Sequence, residues 1–196
     1  MIKRIFDICA SAIGLLFLLP FLLLLSVLIA LDSNGGVFYK QIRVGKNNID
    51  FGLFKFRTMR PQSDNKGLIT IGNRDPRITR IGYYLRKYKL DELPQLINVL
   101  LGDMSIVGPR PEVRKYVSMY TTEQLRVLTV RPGITDLASI AYFDENELLA
   151  KSTNPHKDYI ELIMPAKLTL NLQYITTQSF ATDVKIILNT LAKIIR

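Results

Sequence analysis

Asp91 and Glu92 form an adjacent carboxylate pair in a basic setting, after Arg86, Lys87 and Lys89 and before Pro94. Neighbours on a helix point about 100° apart, so the two acids would take different roles at one site rather than share a proton. A helix start also attracts acidic residues to its positive dipole end, and the pair alone leaves both readings open. Gly102 to Pro111 holds a second candidate. Pro109 and Pro111 bracket Arg110 in an extended, rigid loop, which would present a planar guanidinium for phosphate; a structural turn with a surface arginine has the same composition. Arg131-Pro132-Gly133 carries the same signal more weakly. Lys55-Phe56-Arg57-Thr58-Met59 and Asp75-Pro76-Arg77-Ile78-Thr79 set further basic groups beside hydroxyls.

One cysteine, Cys9, and one histidine, His156, stand in 196 residues. An internal disulfide is therefore excluded, and thiol or imidazole zinc sites are not expected. Cys9 falls in an apolar segment and reads as a small hydrophobe. Carboxylates and guanidiniums must carry the chemistry. The net charge of +9 is not spread evenly. Residues 1–39 balance Lys3 and Arg4 against Asp7 and Asp32. Residues 40–89 hold thirteen Lys and Arg against Asp50, Asp64 and Asp75, a local charge of +10. Anionic lipid headgroups, phosphorylated substrates and nucleic acid are the usual partners of such a patch.

Ala12 to Leu31 are twenty residues without a charge, about 30 Å as a helix and enough to match the hydrocarbon of a bilayer. Leu31-Asp32-Ser33-Asn34 offers no small-x-small cleavage site, which argues against a signal peptide. Pro20 near the middle predicts a break at Leu19. Basic residues flank both ends, Lys3 and Arg4 before and Lys40, Arg43 and Lys46 after, and both flanks would stay on the cytoplasmic side. A re-entrant helix turning at Pro20 satisfies these observations; a kinked span is the rival. Residues 1–35 form this membrane segment and 36–196 the remaining domain.

The rest reads as α+β and mostly helical. Val37–Val44 and Asp50–Met59 are strands of a β-hairpin around Gly45-Lys46-Asn47-Asn48. Pro61–Asn73 is a loop. Ile78–Leu101 is helix interrupted near Leu93-Pro94, Gly102–Pro111 is a loop, and Val113–Val130 is one helix. Leu148–Ile175 is helix broken at Pro165. The C-terminal segment sets Val184, Ile187, Leu188, Leu191, Ile194 and Ile195 at helical spacing with Lys185, Asn189, Lys193 and Arg196 opposite, for a core or for a membrane surface.

In order, the motifs Lys55-Phe56-Arg57-Thr58-Met59, Asp75-Pro76-Arg77-Ile78-Thr79, Leu90-Asp91-Glu92-Leu93-Pro94-Gln95-Leu96, Gly102 to Pro111 and Arg131-Pro132-Gly133-Ile134-Thr135 closely resemble the bacterial sugar transferase family. These are small monotopic phosphoglycosyl transferases that begin polysaccharide and glycoconjugate assembly. The resemblance also takes in Lys3-Arg4-Ile5-Phe6-Asp7-Ile8, the hairpin residues Gln41, Arg43 and Gly45, and Asp183-Val184-Lys185-Ile186-Ile187.

The resemblance implies a re-entrant helix kinked at Pro20, amphipathic helices at the surface of the bacterial inner membrane, and an active site facing the cytoplasm. It implies a UDP-sugar and polyprenyl (undecaprenyl) phosphate as substrates, Mg²⁺ as cofactor with Asp91 among its ligands, and no nucleic acid. Asp91 would attack the sugar-linked phosphorus and expel UMP, with Glu92 as a supporting base or positioning group. Arg86 and Arg110, and further Arg57, Arg77 and Arg131, would bind phosphate or nucleotide. Leu19-Pro20 stands where many members have Ser-Pro, and Asp136 to Tyr142 replaces their Gly- and Gln-containing turn, which points to a different subgroup. A membrane-anchored binding module for anionic lipid or nucleic acid is the alternative; it would have no use for Asp91 within the basic run.

Overall fold

The computed structural model describes residues 2–63, 70–72 and 75–195. Helix α1 (Ile2–Asp32) is a single element with Pro20 inside it. Leu19 stays helical, so the expected break does not occur there. Pro20 still lacks an N–H and frees the carbonyl of Leu16, a local weakness at which helices bend. By length and composition α1 could cross a bilayer. It is not detached from the rest, however. Asp7, Ser11, Leu25 and Ile29 are buried on it, at spacings that share one helical face.

Polar ties fix the N-terminal end of α1. Arg4 donates to the carbonyls of Val99 and Leu100 at 2.6 and 3.1 Å. The Asp7 carboxylate accepts from the Ser105 hydroxyl and the Ile106 N–H at 2.8 and 3.1 Å. Lys3 meets Asp183 at 2.6 Å, and Tyr174 donates to the same carboxylate at 2.6 Å. At the other end Leu25 and Ile29 pack with Phe56 and Leu85. The rest of α1, including Leu16, Phe17, Leu23, Leu24 and Val27, is apolar and exposed.

Strands β1 (Phe38–Val44) and β2 (Asp50–Phe56) form the expected antiparallel hairpin. Asn47 and Asn48 take positive φ at its turn, a conformation asparagine tolerates. Both faces of β2 are covered: Phe56 joins the α1 cluster, while Leu53 packs on Val99 and Met104. Helix α2 (Arg80–Lys87) starts at Thr79, whose hydroxyl accepts from the Gly82 N–H at 3.0 Å. Asp32, the last residue of α1, accepts from the Ile81 N–H at 2.9 Å. Helix α3 (Gln95–Leu101) follows after a short 3₁₀ turn, Leu90–Glu92. The interruption near Leu93-Pro94 is thus present. The loop expected over Pro61–Asn73 lies partly outside the described residues.

Gly102–Pro111 is not all loop. Strand β3 (Ser105–Val107) pairs in parallel with β4 (Gly133–Thr135). A Cβ on Gly133 would sit 2.1 Å from the backbone nitrogen of Gly108, so only glycine permits this approach. Val113–Val130 is not one helix either. Helix α4 (Arg114–Val117) ends early, and a 3₁₀ helix occupies Gln124–Thr129. Between them Thr121 and Gln124 cap each other, side chain to backbone N–H, at 2.9 and 3.3 Å, a reciprocal box that begins a new helix.

Helices α5 (Leu137–Ala141), α6 (Glu145–Ala150) and α7 (Pro155–Asp158) lead through one π-turn, Tyr159–Ile163, into α8 (Met164–Thr176). The break expected at Pro165 is replaced by that wide turn, which precedes the residue lacking an N–H. Tyr116, Val127, Leu149, Tyr159, Ile163, Met164 and Leu168 form the core here. Helix α9 (Phe180–Ile195) closes the fold, with Ile186 packed on Val107 and Tyr174. The α+β, mostly helical architecture matches the sequence-based expectation.

Candidate active site

Four tertiary devices bring the carboxylate pair into place. Lys89 adopts positive φ (56°) after α2, an uncommon conformation for a residue with a Cβ; it stops the helix and begins the turn carrying Asp91 and Glu92. Asn98 on α3 is fully buried and bonds across to β2. Its side chain accepts from the Phe54 N–H at 2.9 Å and donates to the Gly52 carbonyl at 2.8 Å. That clasp sets the turn against the hairpin, and Lys55, on the same face as Leu53, reaches Glu92 at 3.8 Å. The third device is Asp136. Its carboxylate accepts from the Arg110 N–H at 2.9 Å and from the Ser139 N–H at 2.5 Å, holding the proline-bracketed loop and capping α5 together. Glu112 is the fourth: it accepts from Arg43 at 2.8 Å and from the Tyr159 hydroxyl, anchoring the far side of that loop.

The result is a cleft of about 910 Å³. Asp91, Glu92, Lys55, Arg86, Lys89 and Arg110 line its polar end. Arg110 grips Glu92 with both prongs, Nη1 to Oε2 at 3.0 Å and Nη2 to Oε1. Burial would raise the Glu92 carboxyl, but Arg110 and Lys55 overcome it and hold Glu92 well below the usual carboxylate range. Glu92 in turn pushes the Arg110 guanidinium further up. Asp91 differs. It is buried, its side chain makes no hydrogen bond or ion pair among the described residues, and burial followed by repulsion from Glu92 raises its carboxyl despite Lys55, Arg86 and Lys89. Burial lowers the Lys55 ammonium to about 8, against the attraction of Glu92.

The two adjacent acids are therefore unlike. Glu92 is a fixed anion held by cations, and Asp91 is an unpartnered carboxylate aimed at the cleft. Such a carboxylate, ringed by positive groups, suits attack on an electrophilic phosphorus or ligation of a hard cation. Among the described residues no group of three or more His, Cys, Asp or Glu gathers for a metal. A cation at Asp91 would complete its shell with phosphate oxygens and water.

Of the residues singled out in the sequence, Asp91, Glu92, Arg86 and Arg110 meet in this cleft, and Arg86 also donates to the Thr70 hydroxyl at 3.0 Å. Arg57, Arg77 and Arg131, also expected at the phosphate site, lie outside its lining. Arg57 donates to the carbonyls of Ser33 and Asn34 at 2.6 and 2.8 Å, just beyond α1. Arg77 grips Asp75, with 2.6 Å from Nη2 to Oδ2. Arg131 donates to the Gly102 carbonyl at 2.8 Å. Each guanidinium serves a local backbone or carboxylate partner instead. Lys55, named above only within the Lys55–Met59 motif and given no role there, is a residue of this cleft. Its signal was there: a charge on the Phe51–Leu53–Lys55 face of a strand whose Leu53 is core.

The chain matches the family described as bacterial sugar transferase over residues 1–196. It is 41% identical to the exopolysaccharide production protein PSS of Rhizobium leguminosarum bv. phaseoli over 96% of this chain and 92% of that one. It is 34% identical to the UDP-glucose:undecaprenyl-phosphate glucose-1-phosphate transferase of Caulobacter vibrioides, over 98% and 69%. Against the UDP-N-acetylgalactosamine-undecaprenyl-phosphate N-acetylgalactosaminephosphotransferase of Aeromonas hydrophila it is 44% identical over 72% of this chain, spanning about a third (34%) of that longer protein.

Proposed function

The chain belongs to the bacterial sugar transferase family, and from that premise we propose that it moves a sugar 1-phosphate from a UDP-sugar to a polyprenyl phosphate such as undecaprenyl phosphate. The observation that carries this reading is Asp91, a buried carboxylate without a hydrogen-bond partner among the described residues, set in a ring of Lys55, Arg86, Lys89 and Arg110.

In the first step an Asp91 oxygen attacks the sugar-linked phosphorus. A carboxylate–phosphorus bond forms, the bond to the bridging oxygen breaks, and UMP leaves with that electron pair. In the second step an oxygen of the prenyl phosphate attacks the same phosphorus and returns Asp91 as a free carboxylate, leaving a prenyl diphosphate sugar. Two displacements through a covalent intermediate replace one difficult encounter between two anions. Arg86, Arg110 and Lys55 stabilise the negative charge that gathers on the phosphoryl oxygens. Glu92 keeps Arg110 and Lys55 oriented. Asp91 would hold Mg²⁺ as its protein ligand, and the ion would supply further charge neutralisation on the diphosphate.

The fold of α1 supports monotopic attachment at the cytoplasmic face of the inner membrane. A straight helix of 31 residues is about 46 Å long, yet the same body holds Arg4 and Asp7 at one end and Leu25, Ile29 and Asp32 at the other. A span would set those ends on opposite sides of the bilayer. The exposed apolar face of α1 instead enters one side, with Pro20, the residue that lacks an N–H, near its middle.

The test is UMP release by detergent-purified protein with Mg²⁺, undecaprenyl phosphate and a panel of UDP-sugars that includes UDP-glucose and UDP-N-acetylgalactosamine. Release with at least one donor, abolished by Asp91→Asn, is expected. Turnover that persists in the Asp91→Asn protein would remove the proposed mechanism, and silence across the panel with no UDP-sugar binding would remove the reaction.

A further inference from the structure

The same cleft has an apolar wall that a UDP-sugar cannot use. Helix α9 supplies Ile187, Leu191 and Ile194 to it, Leu93 and Leu96 come from the turn and α3, and Ile106 and Ile134 come from β3 and β4. Uridine and sugar present hydroxyls and amides, for which this wall has few polar groups. Thr135 and Thr190 bond to each other there at 2.6 Å. The trench also runs beside the membrane-seeking helix: a Cβ on Gly14 of α1 would lie 3.5 Å from Cδ1 of Leu96. Leu188, Leu191 and Ile195 on α9 are more than half exposed, a concentration of bare apolar surface that asks for a hydrocarbon partner.

Two cations of the same cleft meet over one ring. The ammonium groups of Lys89 and Lys193 lie 5.1 and 5.8 Å from the centre of the Phe143 ring, within cation–π range. Neither forms a salt bridge among the described residues. All three side chains line the cleft with Asp91. An anionic head on a long apolar tail is the ligand whose chemistry matches both parts.

Resting on the transfer reading above, we propose that α9 is the acceptor-binding helix: the trench between α9 and α3 takes the prenyl units next to the phosphate, and Lys193 with Lys89 holds that phosphate beside Asp91. The nucleophilic oxygen of the acceptor is then delivered from the α9 side, while the donor's diphosphate meets Arg86 and Arg110.

Tryptophan is absent from the chain, so Leu191→Trp gives a single emission reporter at a half-exposed site, and Leu31→Trp, on the outer face of α1, gives a control. Titration with undecaprenyl phosphate in detergent should shift the Leu191→Trp emission saturably and leave the Leu31→Trp emission without a saturable change. Adding Lys193→Ala to the reporter should weaken undecaprenyl phosphate about tenfold, as loss of one charged hydrogen-bond partner does, and leave undecaprenol unchanged. A silent Leu191→Trp reporter, or one that responds as Leu31→Trp does, overturns the trench. Equal affinity with and without Lys193 overturns its role at the phosphate. These readouts need no turnover: lipid binding at Leu191→Trp with neither UMP release nor UDP-sugar binding across the panel would refute the transfer reading alone, and UMP release with a silent reporter would refute the trench alone.

Discussion

Arg110 holds Glu92 in a two-pronged ion pair, while Asp91, one residue earlier, has no such partner among the described residues. Adjacent carboxylates thus sit in opposite electrostatic states, one depressed and one raised. The backbone makes this possible, because the 3₁₀ turn begun by left-handed Lys89 points the two side chains along different directions.

The two acids should respond to neutralisation with opposite signs in stability. Asp91 has a carboxyl raised above its ordinary value of 3.8, so its charge opposes folding at neutral pH, and that opposition fades as pH falls toward 3.8. Asp91→Asn should therefore raise the melting temperature at pH 7 and lose the advantage under acid. Glu92→Gln leaves the partly exposed Arg110 guanidinium and the Lys55 ammonium without their carboxylate and should lower stability by about 2 kcal/mol. Thermal melts of both variants from pH 4 to 8 check this; the same sign for both would sink it.

Lys55 predicts an alkaline limb. Its ammonium, lowered to about 8 by burial, loses its charge as pH rises through that value, and phosphate stabilisation goes with it. The pH profile of kcat/KM for UMP release should fall with a midpoint near 8. Lys55→Arg, whose guanidinium stays charged, should move the fall beyond the measurable range. An unmoved limb in that variant would assign it to another group.

Gly133→Ala tests whether the β3–β4 pair sets the position of Arg110. The added methyl would meet the Gly108 nitrogen at 2.1 Å, and relief of such a clash costs about 3 kcal/mol. UMP release should fall more than the melting temperature accounts for, because the displaced segment leads directly into Pro109-Arg110-Pro111. Full specific activity in the folded variant would show that Asp136 alone fixes the arginine.

Much of the site could be read in the chain because its parts are local. Asp91, Glu92 and Arg86 lie within one turn–helix unit, and the prolines around Arg110 announce a rigid loop. What the chain did not show has physical causes. Arg57, Arg77 and Arg131 share the residue type of a phosphate site, and only the folded contacts place them on backbone carbonyls and Asp75, outside the cleft lining. Strands of three residues, as in β3 and β4, are too short for a period to appear, and their glycines read as loop. The Thr121–Gln124 box was a legible stop and restart inside the apparent helix Val113–Val130. Lys193 lies about a hundred residues from Asp91, and nothing in its own neighbourhood connects the two.

The tie between Lys3 and Asp183 joins residues 180 positions apart in the chain, and this has a consequence for synthesis. At 5–20 residues per second the ribosome needs roughly 10–40 s to go from one to the other. Throughout that interval the long apolar helix has been made, while α3, β3 and α9, which cover one face of it, arrive only later. A bilayer is a solvent that can hold such an apolar helix meanwhile. On the proposed monotopic reading, membrane capture would precede completion of the fold, and the Asp91 cleft would be assembled at the headgroup plane rather than delivered there by a finished protein.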